Sequence, residues 1–523
     1  YIATDHLWIM KELNTMLGSD PLVQTARGKL QNQRSKLNDQ INRELRMRTG
    51  AENLYKATTN RKLRETVGLE LSFVNSNLQL LKEELADLNS SVDIYQNNGT
   101  TYSVPMIPLG LKETKEVEYV TPFKDYILHH YNEESDQYER LLQMLSDLRQ
   151  AVRTPLRTNA GIELMFEYYN QLYFIERRFF PPNRNLGVYF EWYDSLVGIP
   201  HTQRTVGFEK GSILFNIAAL YTQIGARQDR SQVSGIESAI ESFQRAAGTF
   251  KHLRENFSHA PSKDMQPWTL EMLQQLMLAQ AQECVFERKV LGGVQQGMKN
   301  HIEATHEASM VTYMYQETHR LMTVPNVRDY VPFSWLSMVD VKMQYFKSLA
   351  YYHTATALIN QSDSGDVDLL AEMFKELYAI VPSRDPQENS LVASPPKTWE
   401  ARKELAKANL RQAVLAHEEA LRLHNHSKQL RRIDTFLNIL KHSHDRSLYM
   451  FSELEEEDDF TELMAVPDIR AKTDTPAKEM LPDFSKHKVE DVFRNLGPLP
   501  VFSSRHEWSA PRLIELRDRK SVV

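Results

Sequence analysis

A heptad pattern of apolar residues near the amino end constrains the fold more than any other feature. Its members follow one another at alternating spacings of four and three, and they are Val67, Leu71, Val74, Leu78, Leu81, Leu85, Leu88 and Val92. Such a repeat is typical of a helix that buries one seam against a second helix. The stretch after Pro21 shows helical spacings of its own, with apolar residues at Leu30, Leu37, Ile41, Leu45, Ala51 and Leu54. The short polar connector Thr58–Asn60 therefore predicts an antiparallel pair in which each helix covers the other's seam.

Charge is divided unequally between the two predicted helices. Residues 21–62 contain ten basic and three acidic residues, a net charge of +7, whereas residues 63–95 contain two basic and six acidic residues, a net charge of -4. Two interpretations stay open, namely two solvated faces that attract each other, or a basic docking strip for an acidic partner. The candidate strip consists of Arg34, Lys36, Arg43, Arg46 and Arg48.

The remainder of the chain is predicted to be mainly helical. Glycine and proline together number 41 of 523 residues, and this shortage of turn formers favours long helices. Helical patterns cover Gly161–Arg177, Val206–Arg227, Gly235–Asn256, Leu270–Lys289, Ser334–Gln361 and, after a predicted loop, Thr398–Ser447. The aromatic-rich segment Leu186–Tyr193 indicates a strand of a small sheet. We expect linker or loop structure at Tyr95–Val104 and Asp385–Pro396.

The first helix carries a family resemblance. The segments Leu30–Arg34, Ile41–Leu45 and Arg48-Thr-Gly-Ala-Glu-Asn-Leu54 resemble the Rho-binding antiparallel coiled coil of protein kinase N and rhophilin. The resemblance implies binding to the GTP-bound form of a Rho-family GTPase, whose switch segments the γ-phosphate holds in order. Nucleotide and magnesium would belong to the partner, so neither a cofactor nor a metal is predicted for this chain.

The longer part resembles the BRO-type domain shared by ALIX, the yeast Bro family and rhophilin. Matching stretches are Leu111–Val117, Tyr189–Leu196, Glu209–Asn216, Ala218–Ile224 and Met277-Leu-Ala-Gln-Ala-Gln-Glu283, and Leu496–Phe502 is similar to the closing segment. Because the order of the two modules is that of rhophilins, the chain is identified as a member of that family. The resemblance implies a mainly α fold, with an antiparallel two-helix coiled coil at 20–95, an elongated, curved helical BRO-type domain with a small β-sheet at 104–502, and a tail at 503–523.

In ALIX-like proteins an apolar surface patch receives an amphipathic ESCRT-III helix. The resemblance transfers this patch to Val285, Met298 and Ile302, which are all apolar. Val285 replaces a bulky aromatic residue, however, and Glu237 stands where a lysine would pair with the peptide. The three residues are therefore either a helix-binding groove or ordinary packing residues.

Rhophilins continue into a PDZ domain after the Val501-Phe-Ser503 segment, whereas this sequence stops at Val523, so either the PDZ domain has been cut off or this form ends differently. Its last residues, Ser521-Val-Val523, fit the Ser/Thr-x-hydrophobic pattern whose carboxylate PDZ domains capture. A PDZ domain is accordingly a possible partner of the tail.

No motif of the sequence indicates catalysis. Gly292-Gly293 lacks the residues of a phosphate-binding loop. Cys284, the one cysteine, is predicted to be a buried inert thiol, and the pairs His424/His426 and His442/His444 are predicted to be solvated because a spacing of two spoils shared metal binding on a helix. The net charge of -7 argues against nucleic acid, and the most apolar stretch, Ile213–Ile224, is too short to span a bilayer.

These features predict a non-enzymatic effector or scaffold that binds GTP-loaded Rho-family GTPase and links it to cytoskeletal or endosomal partners. The alternative is an ESCRT-associated trafficking adaptor that works through the BRO-type domain. We expect a cytoplasmic protein, because a single cysteine fits a reducing compartment. Its expected partners would recruit it to endosomes or to actin-rich membrane regions.

Overall fold

The protein is described from a computed structural model. The structure describes two parts of the chain. The first is 36–89 except 38, 39, 42, 45, 49, 52, 56 and 59, and the second is 103–181, 185–257, 260–294, 297–359, 377, 396, 398–454, 466, 468–471 and 476–499. Arg34, most of the predicted linker and loop, and the tail with its PDZ-binding pattern lie outside these residues. The chain divides into two units, of which the N-terminal one comprises the residues up to Asn89 together with Val197–Ile199, and the larger one comprises the rest.

The N-terminal unit is a helical hairpin, as predicted. Helix α1 comprises the described helical residues between 36 and 57, and α2 is Arg61–Asn89. Asn60 begins α2, since its side-chain oxygen accepts hydrogen bonds from the backbone N–H groups of Lys62 (3.1 Å) and Leu63 (3.4 Å). The buried residues Leu37, Ile41, Val74 and Leu78 pack together, with Leu81 partly buried against them. Early residues of α1 thus meet late residues of α2, which confirms the antiparallel arrangement.

The larger unit contains eleven described α-helices and one small sheet. In chain order the helices are α3 (Val120–Tyr126), α4 (Glu139–Ala151), α5 (Asn159–Phe179), α6 (Val206–Ala226), α7 (Val233–Asn256), α8 (Pro267–Val290), α9 (Met298–Thr323), α10 (Pro325–Arg328), α11 (Phe333–Ile359), α12 (Trp399–His426) and α13 (Asp434–Leu454). Each long helix from α5 onward packs on the next long helix along the chain, and α6 is buried on nearly all sides. No helix among the described residues is both long enough and apolar enough to cross a membrane.

The mainly helical fold and the small sheet are confirmed. Five helical patterns appear as α5, α6, α7, α8 and α11, with ends that differ by a few residues. The pattern Thr398–Ser447 is instead two helices, because a 3-10 turn at Leu430–Arg432 separates α12 from α13. The predicted strand Leu186–Tyr193 shortens to β1 (Phe190–Tyr193), which pairs antiparallel with β2 (Pro200–Gln203) in the register Phe190 to Gln203.

An extended segment that opens the larger unit is held by side-chain amides. The backbone of Ile107 exchanges two hydrogen bonds with the amide of Gln280 on α8, at 2.5 and 3.2 Å. Lys112 makes the corresponding pair with Asn216 on α6, at 2.6 and 2.9 Å. These amides supply the donors and acceptors that a neighbouring strand would supply, so the segment is buried without unpaired backbone groups at these positions.

A buried ionic cluster joins the middle of the stack. The carboxylate of Glu283 on α8 lies 2.7 Å from the ammonium of Lys342 on α11 and accepts a hydrogen bond from the hydroxyl of Tyr315 on α9. Arg230 donates to both carboxylate oxygens of Glu287, at 2.8 and 2.9 Å, and to the carbonyl of residue 104. Burial lowers the pKa of Lys342, and the carboxylate of Glu283 opposes that shift.

A lateral face on the helical hairpin

The hairpin seam continues beyond its buried core through residues that are half-buried. On α1 these include Glu44, Arg48, Ala51 and Tyr55, and on α2 they include Leu71 and Leu81. Near the connector, the guanidinium carbon of Arg64 lies 4.6 Å from the centre of the Tyr55 ring. The two helices therefore remain paired from this end to the level of Leu37 and Leu78.

Several exposed residues share one geometric property, which is that each stands immediately before a seam residue. A residue at that position lies about 100° to one side of the seam. Because the helices are antiparallel, this side of α1 and this side of α2 fall on the same lateral face of the hairpin. We call this surface the lateral face, and its exposed members include Lys36, Arg43, Met47, Leu54, Glu70, Phe73, Leu80 and Glu84.

The lateral face presents large apolar side chains to solvent. Phe73 is 67% exposed and Leu80 is 63% exposed, and they stand seven residues apart on α2. Met47 and Leu54 repeat this spacing on α1 and are 52% and 45% exposed. Exposed apolar residues are ordinary when they are scattered, whereas these four are aligned on one side of the hairpin, which makes the lateral face the candidate site.

The structure describes four of the five predicted cations, and these four do not share one side of α1. Lys36 and Arg43 lie on the lateral face, across the hairpin from the levels of Leu80 and Phe73. Arg46 is exposed on the side of α1 that faces away from α2, and Arg48 is half-buried on the seam. Arg34 lies outside the described residues.

Charge on the lateral face is mixed. Its exposed acidic residues Glu70 and Glu84 balance Lys36 and Arg43. The lateral face therefore combines exposed apolar residues, which were not identified from the sequence, with local charges of both signs, and GTPase binding by the five predicted cations stays a prediction. The signal was present in the heptad pattern, because Phe73 and Leu80 are apolar at positions just before seam residues. Leu54, predicted to continue the buried side of α1, is exposed instead.

Two of the three groove candidates are core residues in this structure. Met298 is 8% exposed and Ile302 is 5% exposed, and both pack in a buried cluster with Leu358 of α11 and Leu405 of α12. Leu377 belongs to the same cluster, and Val285 is half-buried. The structure thus agrees with a packing role for Met298 and Ile302, while helix binding by the three residues stays a prediction.

The remaining candidate reactive groups are structural in the described part of the chain. Cys284 is fully buried on α8, and burial raises the pKa of its thiol, which keeps it protonated and inert. His424 was predicted to be solvated, and this was wrong, because its ring is buried with its centre 5.7 Å from that of Phe436. His426 and His442 are exposed as predicted. Within the described residues, no group of histidine, cysteine and acidic side chains is arranged to hold a metal ion.

Comparisons with known proteins match both units. The model of the BRO1-like domain matches residues 106–512, and the model of the Hr1 repeat matches residues 33–96. Rhophilin-1 of Homo sapiens is 48% identical over 500 residues, which cover 95% of this chain and 74% of that protein. Rhophilin-2-A of Xenopus laevis is 47% identical over 507 residues, with 97% and 74% covered. The chain belongs to the rhophilin family.

Solved structures agree with this assignment at the level of the fold. ALIX in complex with the SIVmac239 PYKEVTEDL late domain has a TM-score of 0.56 and 23% identity, with 75% of this chain and 51% of that chain covered. A structure described as the basis for endosomal targeting by the Bro1 domain has a TM-score of 0.52 and 21% identity, with 75% and 96% covered. At these identities the likeness establishes the BRO-type fold of the larger unit and nothing further.

Proposed function

We propose that this chain is a non-enzymatic Rho effector whose helical hairpin binds a GTP-loaded Rho-family GTPase through the lateral face. Membership of the rhophilin family and the Hr1 match at residues 33–96 support a Rho-binding role. The observation that carries the proposed site is the exposure of Phe73 and Leu80 on one side of the hairpin, next to a seam whose core residues are buried. The larger unit then serves as a scaffold toward cytoskeletal or endosomal partners.

Apolar burial provides the larger share of the expected affinity. Burying the exposed parts of Phe73 and Leu80 contributes about 1–2 kcal/mol each. Lys36 and Arg43, at the same levels of the hairpin, are placed to pair with acidic groups of the partner and to orient it. Nucleotide selectivity would arise because a GTPase switch segment is ordered only while the γ-phosphate is bound.

Phe73→Asp is expected to reduce binding to Rho loaded with a GTP analogue by at least tenfold, because it places a charge within the apolar interface. Asn53→Asp is the matched control, since it adds the same charge outside the lateral face, on the side of α1 that faces away from α2, where Asn53 is exposed. The measurement is a titration of the full chain against the GTP-analogue and GDP forms of Rho. Wild type is expected to prefer the GTP-analogue form, and Asn53→Asp is expected to bind like wild type.

Two results contradict the proposal. Equal binding of wild type to both nucleotide forms, or no binding to either, removes the effector function. Nucleotide-dependent binding that Phe73→Asp leaves intact keeps that function but excludes the lateral face as the site.

The double variant Lys36→Gln/Arg43→Gln is expected to weaken binding by a few fold and to reduce its dependence on salt, since exposed charges act mainly at long range.

The ESCRT-associated function remains the alternative. It requires access to Met298 and Ile302, which are buried against α11 and α12. An amphipathic helix would therefore have to open this cluster, and Met298→Asp would unfold the core as readily as it would block binding. Val285→Asp is the better test because Val285 is half-buried, and an absence of ESCRT-III helix binding by wild type excludes the alternative.

A further inference from the structure

The turn between α12 and α13 carries a dense group of exposed cations. Lys428, Arg431 and Arg432 lie within five residues, and all three side chains are exposed. Over residues 425–441 there are four basic residues and one acidic residue, a net charge of +3, although the whole chain has a net charge of -7. The turn is therefore a local basic surface on an acidic protein.

This turn is anchored by two apolar side chains that alternate with the cations. Leu430 is 2% exposed and Ile433 is 4% exposed. The backbone N–H of Arg431 donates to the carbonyl of Ser427 at 3.1 Å, and that of Ile433 donates to the carbonyl of Leu430 at 2.8 Å. The backbone of the turn is thus already ordered, so little of its conformational entropy remains to be lost when a ligand binds.

An exposed aromatic side chain lies at the same end of the stack. Helices α11 and α12 are antiparallel, since Ser348 contacts His417 at 3.0 Å while Leu358 packs with Leu405. Continuing this alignment brings the turn, which packs against α11, to the first residues of that helix. Phe333 is the first residue of α11 and is 55% exposed.

We propose that the α12–α13 turn, together with Phe333, docks on the surface of an anionic lipid bilayer. Cationic side chains attract anionic headgroups, and an aromatic ring beside them partitions into the interfacial layer. This surface lies in the larger unit, and the proposal is independent of GTPase binding by the hairpin.

Sedimentation of the full chain with vesicles tests the proposal. Wild type is expected to bind vesicles that contain phosphatidylserine and not vesicles of phosphatidylcholine alone, with binding that falls as salt is added. Each basic side chain near an anionic surface adds roughly fivefold to the affinity, so Lys428→Gln/Arg431→Gln is expected to lose roughly 25-fold. Phe333→Ser is expected to lose a further few fold, mainly at high salt.

The matched control is Lys486→Gln/Lys488→Gln, which removes two exposed cations of the larger unit away from the α12–α13 turn in sequence and is expected to leave vesicle binding unchanged. Circular dichroism of each variant checks that the helical content is retained. The proposal is overturned if wild type does not bind anionic vesicles, or if the control variant loses as much binding as Lys428→Gln/Arg431→Gln. Capture of an acidic protein without vesicle binding would also overturn it in favour of a protein partner.

Discussion

Lys342→Met is expected to destabilise the larger unit by about 3–5 kcal/mol, because it leaves the carboxylate of Glu283 buried without its closest cation. The side chains of both residues are fully buried and 2.7 Å apart. Arg230 is the next cation, at 4.0 Å from Glu283, and it already binds Glu287. We expect the melting temperature of the larger unit to fall by about 5 °C, measured by calorimetry.

A second lysine on the same helix provides the control. Lys347 pairs with Asp468 at 3.0 Å, but their side chains are 40% and 78% exposed, so Lys347→Met is expected to cost less than about 1 kcal/mol. Glu283→Gln/Lys342→Met removes both charges and is expected to recover much of the lost stability. Equal effects of Lys342→Met and Lys347→Met would show that the buried pair has no special role.

Acid is expected to destabilise the larger unit well above the pH at which its ordinary carboxylates titrate. Burial lowers the pKa of His353 and of His417 to about 3. The positive charge of Arg446 acts in the same direction on both, and a neighbouring histidine does so as well, which is His301 for His353 and His444 for His417. The Nδ1 atoms of His301 and His353 lie 3.3 Å apart, so a proton on both rings would bring two cations together. The rings of His353 and His417 are therefore neutral in the folded protein at neutral pH.

The direction of this pH dependence is set by whether the folded or the unfolded state binds more protons. Below the ordinary histidine pKa of 6.5 the unfolded chain binds a proton at each position while the folded chain does not, so stability is highest above pH 6.5 and falls down to about pH 3. At pH 5, which is about 1.5 units below that pKa, each histidine lowers the free energy of unfolding by roughly 2 kcal/mol. The two together are expected to cost roughly 4 kcal/mol relative to neutral pH.

Urea unfolding at pH 7 and pH 5 measures this loss when wild type is compared with His353→Phe/His417→Asn. Glu287, whose pKa burial raises to about 7, titrates in the same window with the opposite sign, and its contribution cancels in the comparison. The asparagine retains a donor toward the hydroxyl of Ser348, which lies 3.0 Å from Nδ1 of His417. If the double variant loses as much stability between pH 7 and pH 5 as wild type does, these histidines are excluded as the cause.

Periodicity predicted the helices whose buried faces are apolar. The ends of α6 and α7 were placed within two residues, because apolar residues mark their packing. Helix α9 was missed, and on its buried face the polar residues His301, Thr305, His306 and Ser309 interrupt the apolar ones. Polar residues that are buried against other polar groups leave no apolar pattern in the sequence.

The candidate site was predicted in part for a similar reason. Composition identified an excess of cations on α1, but only the pairing of the helices shows that Lys36 and Arg43 share a side with Phe73 and Leu80. The burial of Met298 depends on contacts with α11 and α12, which lie tens of residues away along the chain. Contacts of that range cannot be read from local spacing.

The extended segment at the start of the larger unit determines where this protein can be divided. Its backbone is paired with Gln280, Asn216, Thr222 and Gln223, and the carbonyl of Val104 accepts from Arg230. A fragment that starts at residue 106, where the BRO1-like match begins, would leave that buried guanidinium short of an acceptor. An excised C-terminal fragment should therefore start at or before Ser103.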